Sequence, residues 1–349
     1  MDLCKEPVPI LSIIIPAHNS GKTLGNTVKS IFIGVNKSLL NKIEILIVEN
    51  GSVDDTLEVA YKLSTQYPVV KLLRSEPKVA NARNCGINHA KGDWLFFMDA
   101  DDQMAKGGLE ILLTDIANDD VDMVAYCFYS GKQRRTLTNV CLKDNSSTKK
   151  AEMIANPTLY LQAWSKLFRK NVIDQNHLCF DNRLNVAEDS DFTIQFLQVC
   201  GTLMLSNQLV YCYSLNPSSI MHTDPSKKLP DYCLAMKATE KKLCTANSVL
   251  YSAFPQYAMM HFNIAMVRGV FYHTWKLSFF ERVKKMKSAI TDSVFQNSLN
   301  KIKIENCKSA RMLPILFLKL HCYLIAGCIY SIRAKMNYKR DLQAEVHCA

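Results

Sequence analysis

Short apolar runs alternate with longer amphipathic segments over the first hundred residues. Four runs of strand length are nearly free of polar residues, and segments whose apolar positions recur with helical spacing separate them. The predicted strands cover residues 11–15, 43–48, 69–73 and 94–98, and the predicted helices cover residues 20–33, 54–66 and 78–90. Strands this apolar, with helices between them, predict an α/β fold with a mostly parallel, Rossmann-like sheet and helices on both faces.

The pattern becomes irregular in the middle of the chain and helical towards its end. Residues 121–129 continue the sheet, residues 189–200 predict a helix, and short strands are predicted near Leu203 and Val210. From Ser226 onward the apolar spacing predicts helices without further strands. We therefore predict an α/β domain over residues 1–225 and a helical C-terminal region over residues 226–349.

The composition is that of a globular protein. Of the 349 residues, 48% are apolar and 21% are charged, which argues against a largely disordered chain. The 13 cysteines are scattered without a Cys-x-x-Cys pair, so zinc-finger and dithiol redox sites are poorly supported. The N-terminus lacks the pattern of a signal peptide, and we expect a cytoplasmic protein with reduced thiols.

Positive charge is concentrated at the C-terminal end. From Lys276 onward there are 14 Lys or Arg and 5 Asp or Glu, whereas the first 275 residues are nearly neutral. This distribution argues against nucleic acid as a partner and favours an anionic surface. The apolar segment 315–332 has the length of a membrane span, but Lys319 and His321 make a span costly. An interfacial helix on anionic lipid is favoured, with a buried bundle helix and a true span as alternatives.

An acidic cluster follows the fourth predicted strand directly. Residues 94–102 read Trp-Leu-Phe-Phe-Met-Asp-Ala-Asp-Asp, and alternation along a strand lets Asp99 and Asp101 project to the same side. In open α/β sheets the ligand crevice lies beyond the carboxyl ends of the strands. Paired carboxylates there can hold a hard divalent cation that also binds substrate phosphate. The alternative is an acidic turn that caps the following segment.

Four blocks along the chain fit together. They are Ser-Ile-Ile-Ile-Pro-Ala-His-Asn-Ser at 12–20, Ile-Val-Glu-Asn-Gly-Ser-Val-Asp-Asp-Thr at 47–56, the stretch 80–102 that ends in the acidic cluster, and Trp-Ser-Lys-Leu-Phe at 164–168 followed by Ala-Glu-Asp at 187–189. In this order and spacing they resemble the family 2 glycosyltransferases, which have the GT-A fold. The resemblance covers residues 10–225.

The resemblance implies a nucleotide site at the strand ends. The loop after the first strand would line the base and ribose, Asp99 would contact the ribose or donor sugar, and Arg83 could pair with a diphosphate oxygen. A Glu49-Asn50 pair stands where the family commonly has Asp-Asp, and the amide oxygen of Asn50 could accept the N3–H of uracil, so a UDP-sugar is expected. A plain turn at 50–52 and a structural Arg83–Asp99 pair are the competing interpretations. The implied nucleotide-binding set is Pro16, Ala17, His18, Asn19, Glu49, Asn50, Ser52, Arg83, Asp99 and Ala100.

The resemblance also implies an inverting displacement at the anomeric carbon. Asp101 would hold Mn²⁺ or Mg²⁺, and the cation would stabilise the departing diphosphate. Asp189 is the first choice for the base that takes the acceptor's proton and Glu188 the second, with helix capping as the alternative role for both. The residues implied on the acceptor or donor-sugar side are Trp164, Lys166, Asp102 and His222. For Trp164, packing inside the domain is an equal alternative.

The expected function is transfer of a sugar from a nucleotide-diphosphate donor to a glycan or lipid-linked acceptor. Capsule, O-antigen or lipooligosaccharide synthesis is the expected setting, and the basic tail would hold the protein peripherally at the inner face of the cell membrane. The alternatives are a sugar nucleotidyltransferase, whose usual Gly-rich basic loop is missing at residues 16–19, and a non-catalytic nucleotide-sugar-binding protein. A nicotinamide dehydrogenase is disfavoured because no Gly-x-Gly-x-x-Gly follows the first strand.

Overall fold

The structure is a computed structural model that describes residues 8–118, 121–131, 133–137, 143–214, 225–244, 248–272 and 276–348. The chain divides into two compact units that interleave along the sequence. The first unit comprises Met1–Asn145, Gln162–Arg183 and Gln195–Ser214, and the second comprises Ser146–Leu161, Leu184–Ile194 and Leu215–Ala349. All ten strands described belong to the first unit, and helices dominate the second.

One sheet runs through the first unit. Its strands are β1 Leu11–Ala17, β2 Ile43–Glu49, β3 Val70–Arg74, β4 Trp94–Phe97, β5 Gln103–Met104, β6 Met123–Ser130, β7 Gln133–Arg135, β8 Lys143–Asp144, β9 Lys166–Arg169 and β10 Leu203–Tyr213. The order is β3-β2-β1-β4-β9-β6-β10-β5, with β7 beside β6 and β8 beside β10. The long ladders β3-β2-β1-β4 and β6-β10 are parallel, and β9 joins them antiparallel to both neighbours. The predicted mostly parallel sheet is confirmed.

The helices follow the predicted order in the first half of the chain. They are α1 Gly21–Ile31, α2 Thr56–Gln66, α3 Val79–His89, α4 Gly108–Asn118, α5 Ser147–Ala155, α6 Pro157–Tyr160, α7 Lys170–Gln175, α8 Glu188–Val199, α9 Pro225–Cys244, α10 Ser248–Ser252, α11 Phe254–Ala265, α12 Phe279–Ile290, α13 Ser293–Lys301, α14 Leu313–Lys319 and α15 Tyr323–Cys348. Short 3₁₀ helices occupy Lys37–Lys42 and Ile304–Cys307, and a π-helical turn, Met266–Val270, continues α11. Beyond residue 225 the described segments contain helices and no strand, as predicted.

The register of the central strands brings their carboxyl ends to one edge of the sheet. Every residue of β1 and β2 is buried, which explains why both strands are largely apolar. Ala17 pairs with Glu49 at the ends of these strands, and β4 pairs with β1 as far as Phe97. Close packing of α3 on β1 requires Gly86, since a Cβ there would lie 2.4 Å from Cγ2 of Ile14. The loops that follow β1, β2 and β4 therefore emerge together.

Two sequence-based predictions are corrected by long-range packing. The separate short strands near Leu203 and Val210 are one strand, β10, whose pairing with β6 shifts register on the way. The apolar segment 315–332 is not one helix: α14 ends where the Lys319 ammonium donates to the carbonyl oxygens of Leu299 and Asn300. His321 then adopts a φ of +58° before α15 begins. Among the helices that the structure describes, none is long and apolar enough to cross a membrane.

The second unit buries a histidine, His261, beside a tyrosine ring. His261 of α11 is 5% exposed, and its ring lies 4.5 Å from the ring of Tyr257, centroid to centroid. Neither ring nitrogen has a hydrogen-bond partner among the residues described. Burial lowers the pKa of His261 to about 3, so the ring stays neutral in the folded protein near neutral pH.

We expect His261 to lower the free energy of unfolding of the second unit as the pH falls from 7 to 5. In the unfolded chain the His261 ring binds a proton as the pH falls below its usual pKa of 6.5. In the folded protein the ring stays neutral until about pH 3. The unfolded state therefore binds more protons in this range, and the free energy of unfolding falls as the pH falls. The loss between pH 7 and pH 5 should be about 2 kcal/mol. Urea unfolding at both pH values measures it, and His261→Phe should remove most of the difference. An unchanged pH dependence in that variant would contradict this origin.

Candidate functional site

The loops after β1 and β2 are tied to each other by their polar side chains. Nδ1 of His18 lies 3.2 Å from the carbonyl oxygen of Asn50. Asn19 adopts a φ of +50°, its backbone N–H donates to Oγ of Ser52 at 3.1 Å, and its Oδ1 accepts the N–H of Val53 at 2.9 Å. These bonds hold three residues of the predicted nucleotide-binding set, His18, Asn19 and Ser52, close together at the carboxyl ends of β1 and β2.

Glu49 stabilises the turn that follows β2. Its carboxylate is buried and accepts the backbone N–H of Ser52 at 2.6 Å. Burial raises the pKa of Glu49, but hydrogen bonds from Ser52 and Gly51 and the charge of Arg74 outweigh it and hold that pKa below its usual range. Glu49 is therefore an anion that holds the turn, in addition to any contact with a ligand.

Asn50 places a buried side-chain acceptor directly after β2. The residue is 3% exposed, and no group in the described part of the chain donates to its Oδ1 atom. Buried polar atoms in folded proteins are almost always hydrogen-bonded, and an exception indicates strain, a water molecule or a ligand. The turn alternative accounts for the backbone at residues 50–52 but not for this atom.

Arg83 and Asp99 form an ion pair at the end of β4. An Nη atom of Arg83 donates to Oδ1 of Asp99 at 3.1 Å, and the guanidinium lies over the ring of Phe180. Arg83 is buried, whereas the Asp99 side chain keeps 29% of its surface exposed. The structural Arg83–Asp99 pair, which was the alternative to a diphosphate contact of Arg83, therefore exists. It holds the accessible carboxylate of Asp99 at the end of β4.

Asp102 is fully buried, so this structure gives it no surface for a sugar. Its carboxylate accepts the Tyr211 hydroxyl at 2.6 Å and the backbone N–H of Ser214 at 2.7 Å. The Tyr211 oxygen in turn accepts the backbone N–H of Asp99 at 3.1 Å. Burial, then the neighbouring charges of Asp99 and Asp101, raise the pKa of Asp102 well above its usual range. This Asp99–Tyr211–Asp102 chain joins the acidic turn to β10, and sequence reasoning missed Tyr211.

Asp99 and Asp101 are the partly exposed carboxylates of the acidic turn. The carbonyl of Ala100, between them, accepts the Thr27 hydroxyl at 2.8 Å, which fixes the turn against α1. In the segments described, no group of three or more His, Cys, Asp or Glu side chains could hold a metal ion. Two carboxylates suit Mg²⁺ or Mn²⁺ when water and phosphate oxygens complete the coordination, so the donor set fits such a cation.

Trp164 and Lys166 are packed inside the first unit. The Trp164 ring stacks on Tyr211 at 4.6 Å and on Tyr213 at 5.3 Å between centroids, and it remains half-buried. Lys166 is buried in β9 and donates to the carbonyl oxygen of Gln162 at 2.8 Å. The packing alternative for Trp164 thus holds, while sugar contacts of both residues stay predictions.

The predicted base residues lie at the start of α8, in the second unit. Glu188 and Asp189 are half-buried, and Oδ1 of Asp189 accepts the N–H of Ser190 at 2.7 Å. Asp191 is fully buried and accepts from Thr239 and Lys242 of α9, so it fastens the helix to α9. His222 lies outside the described residues.

Comparison with known proteins bears on the family and the fold. Residues 12–176 match the sequence model of the family described as glycosyl transferase family 2. The poly(ribitol-phosphate) beta-N-acetylglucosaminyltransferase TarP of Staphylococcus aureus is 30% identical over 209 residues, which are 59% of this chain. The match spans 63% of TarP, less than two thirds of its length.

Solved structures share the fold. Residues 1–349 of Staphylococcus aureus TarS, in complex with UDP-GlcNAc, superpose with a TM-score of 0.65 at 17% identity and cover 95% of this chain and 91% of that chain. The mannosyltransferase PcManGT from Pyrobaculum calidifontis, in complex with GDP-Man and Mn²⁺, gives a TM-score of 0.51 at 14% identity, covering 95% and 90%. Residues 12–176 are thus similar in sequence to glycosyl transferase family 2, and the fold is the GT-A fold of these solved transferases.

Proposed function

We propose that the protein is an inverting glycosyltransferase that moves a sugar from a UDP-sugar to a glycan or lipid-linked acceptor. The Oδ1 atom of Asn50 carries the proposal, because it is a buried acceptor without a hydrogen-bond partner among the described residues, and it lies at the strand ends where nucleotides bind in such sheets. TarP is an N-acetylglucosaminyltransferase, and a relative from Borreliella burgdorferi, 27% identical over 216 residues, is a cholesterol galactosyltransferase. Together they favour an N-acetylhexosamine or a hexose as the transferred sugar.

Uracil can supply a hydrogen-bond donor to the Oδ1 atom of Asn50. The N3–H of uracil is a donor, and a hydrogen bond from it would satisfy the Oδ1 atom. His18 and Asn19 on one loop and Ser52 on the other bracket this position through the bonds described above. The base would then lie between the two loops, and the ribose and diphosphate would extend towards Asp99 and Asp101.

Asp101, with Asp99 beside it, is the proposed holder of Mn²⁺ or Mg²⁺. The carboxylates supply hard oxygen ligands, and the diphosphate would supply others. When bound, the cation acts as a Lewis acid that stabilises negative charge on the diphosphate. The ion pair with Arg83 keeps the Asp99 carboxylate at the strand end for ribose or donor sugar.

Asp189 is the proposed catalytic base, and Glu188 the second candidate. The acceptor oxygen forms a bond to the anomeric carbon while the bond from that carbon to the β-phosphate oxygen breaks, and UDP leaves with the electron pair. The proton of the acceptor hydroxyl passes to the Asp189 carboxylate. Attack opposite the leaving group inverts the anomeric centre.

The proposed setting is surface-glycan synthesis at the inner face of the cell membrane. Capsule, O-antigen and lipooligosaccharide assembly use lipid-linked acceptors, which a peripheral enzyme can reach from the cytoplasm. The excess of Lys and Arg after Lys276 supports this location, since anionic lipid attracts basic segments.

Asn50→Ala is expected to weaken UDP binding about tenfold, because one hydrogen bond to the base is lost. Asn50→Asp keeps an acceptor at the position and should stay within about threefold of the wild type. Calorimetric titration with UDP measures both variants. Equal affinity of the wild type and Asn50→Ala would remove the base contact from the proposal.

A further inference from the structure

The last long helix, α15, has one buried face and one exposed apolar face. Ala326, Tyr330 and Ala334 are buried within the second unit. Gly327 lies against α12, where an added Cβ would be 2.8 Å from Cγ2 of Val283. The exposed face carries Leu324, Ile325, Cys328, Ile332 and Met336, and its four larger apolar side chains are 47% to 64% exposed.

The exposed apolar residues form one stripe along the helix. Positions 324, 328, 332 and 336 recur every four residues and therefore lie above one another, and position 325 is beside them. A helix on the surface of a soluble domain normally places polar residues on this side. Scattered apolar residues need no explanation, but a contiguous exposed stripe indicates an interaction site.

Positive charge accompanies the stripe. Lys335 and Lys339 are exposed, and helical spacing puts both on the same side of α15 as Ile332 and Met336. The sequence between residues 306 and 340 contains seven Lys or Arg and no Asp or Glu. A second copy of the chain would bring like charges together on this face, whereas an anionic bilayer accepts both the apolar stripe and the lysines.

We propose that this stripe, Leu324, Ile325, Cys328, Ile332 and Met336 with Lys335 and Lys339, docks on an anionic lipid bilayer. The helix lies flat in the interface, with its apolar side chains among the acyl chains and its lysines at the headgroups. The proposal names the residues that would make the membrane contact in the proposed function, and it rests on that proposed function. It narrows the contact expected from sequence over 315–332 to the exposed side of α15, from Leu324 to Ile332, and extends it to Met336 and Lys339.

Co-sedimentation with vesicles tests the stripe directly. The full chain should bind vesicles of phosphatidylglycerol and phosphatidylcholine in equal amounts more tightly than vesicles of phosphatidylcholine alone. Ile325→Ser with Ile332→Ser should weaken partition about tenfold or more. Leu234→Ser with Val249→Ser removes two apolar side chains elsewhere in the same unit that are 48% and 43% exposed, against 47% and 59% for Ile325 and Ile332, and should bind as the wild type does. Lys335→Gln with Lys339→Gln should reduce the preference for the anionic vesicles.

Three outcomes would overturn the proposal. They are a wild type that binds neither vesicle, an Ile325/Ile332 variant that binds as well as the wild type, and a lipid-free dimer that this variant abolishes, which would make the stripe a contact between copies. UDP titration of the same samples separates this proposal from the enzymatic one. Vesicle binding without UDP binding would support the membrane contact of the stripe and refute the nucleotide site.

Discussion

Asp189→Asn is expected to lower the rate of sugar transfer at least about a hundredfold while UDP affinity stays unchanged. The amide keeps the size and hydrogen-bonding shape of the carboxylate but cannot take the proton of the acceptor hydroxyl. The N–H of Ser190 can still donate to the remaining side-chain oxygen, so the start of α8 should persist. The measurement is transfer of labelled sugar from UDP-GlcNAc to a membrane lipid extract, with UDP titration in parallel.

Glu188→Gln is the matched comparison, because Glu188 is the adjacent acidic residue and is also half-buried. It should retain most of the transfer rate. A large loss in Glu188→Gln with full transfer in Asp189→Asn would exchange the two roles. Full transfer in both variants would refute the assignment of the base to the start of α8.

Tyr211→Phe is expected to destabilise the first unit by about 3 kcal/mol and to weaken UDP binding as well. The substitution keeps the ring that stacks on Trp164 but removes the hydroxyl that joins Asp99 to Asp102. A fully buried carboxylate and the backbone N–H of Asp99 then lose a partner each, and each loss costs about 1–3 kcal/mol. Urea unfolding and UDP titration measure the two effects.

Tyr126→Phe is the control for the loss of a buried tyrosine hydroxyl. Tyr126 donates to Asp115 at 2.8 Å on the side of α4, and this bond is only partly buried. Its loss should cost about 1 kcal/mol and leave UDP affinity unchanged. If Tyr211→Phe behaves like Tyr126→Phe in both measurements, the Asp99–Tyr211–Asp102 chain does not position the acidic turn.

The parts of the site predicted from sequence are those that depend on strand periodicity and local turns. The ends of β1, β2 and β4 could be located because buried parallel strands are continuously apolar, so polar residues mark where each one stops. The loops carrying His18, Asn50 and Asp101 follow directly from these ends. The acidic start of α8 was located in another way, by the resemblance to the family 2 glycosyltransferases.

What the sequence did not reveal depends on contacts between distant segments. Tyr211 is 109 residues from Asp102, and no local pattern marks a tyrosine in a strand as the partner of a buried carboxylate. The burial of Asp102, beside two accessible aspartates, follows from that same contact. The break near His321 likewise depends on Lys319 reaching the carbonyl oxygens at the end of α13, a contact that apolar spacing cannot show.

The measurement that tests the central claim most directly is calorimetric titration with UDP, GDP, CMP and dTDP, with and without Mn²⁺. We expect UDP to bind best, Mn²⁺ to strengthen its binding, and Asp101→Ala to lose that metal dependence, because Asp101 would hold the cation that offsets the negative charge of the diphosphate. Binding of none of these nucleotides by the folded protein would contradict the nucleotide-sugar site. The acidic turn after β4 would then be structural, and the resemblance would be limited to the fold.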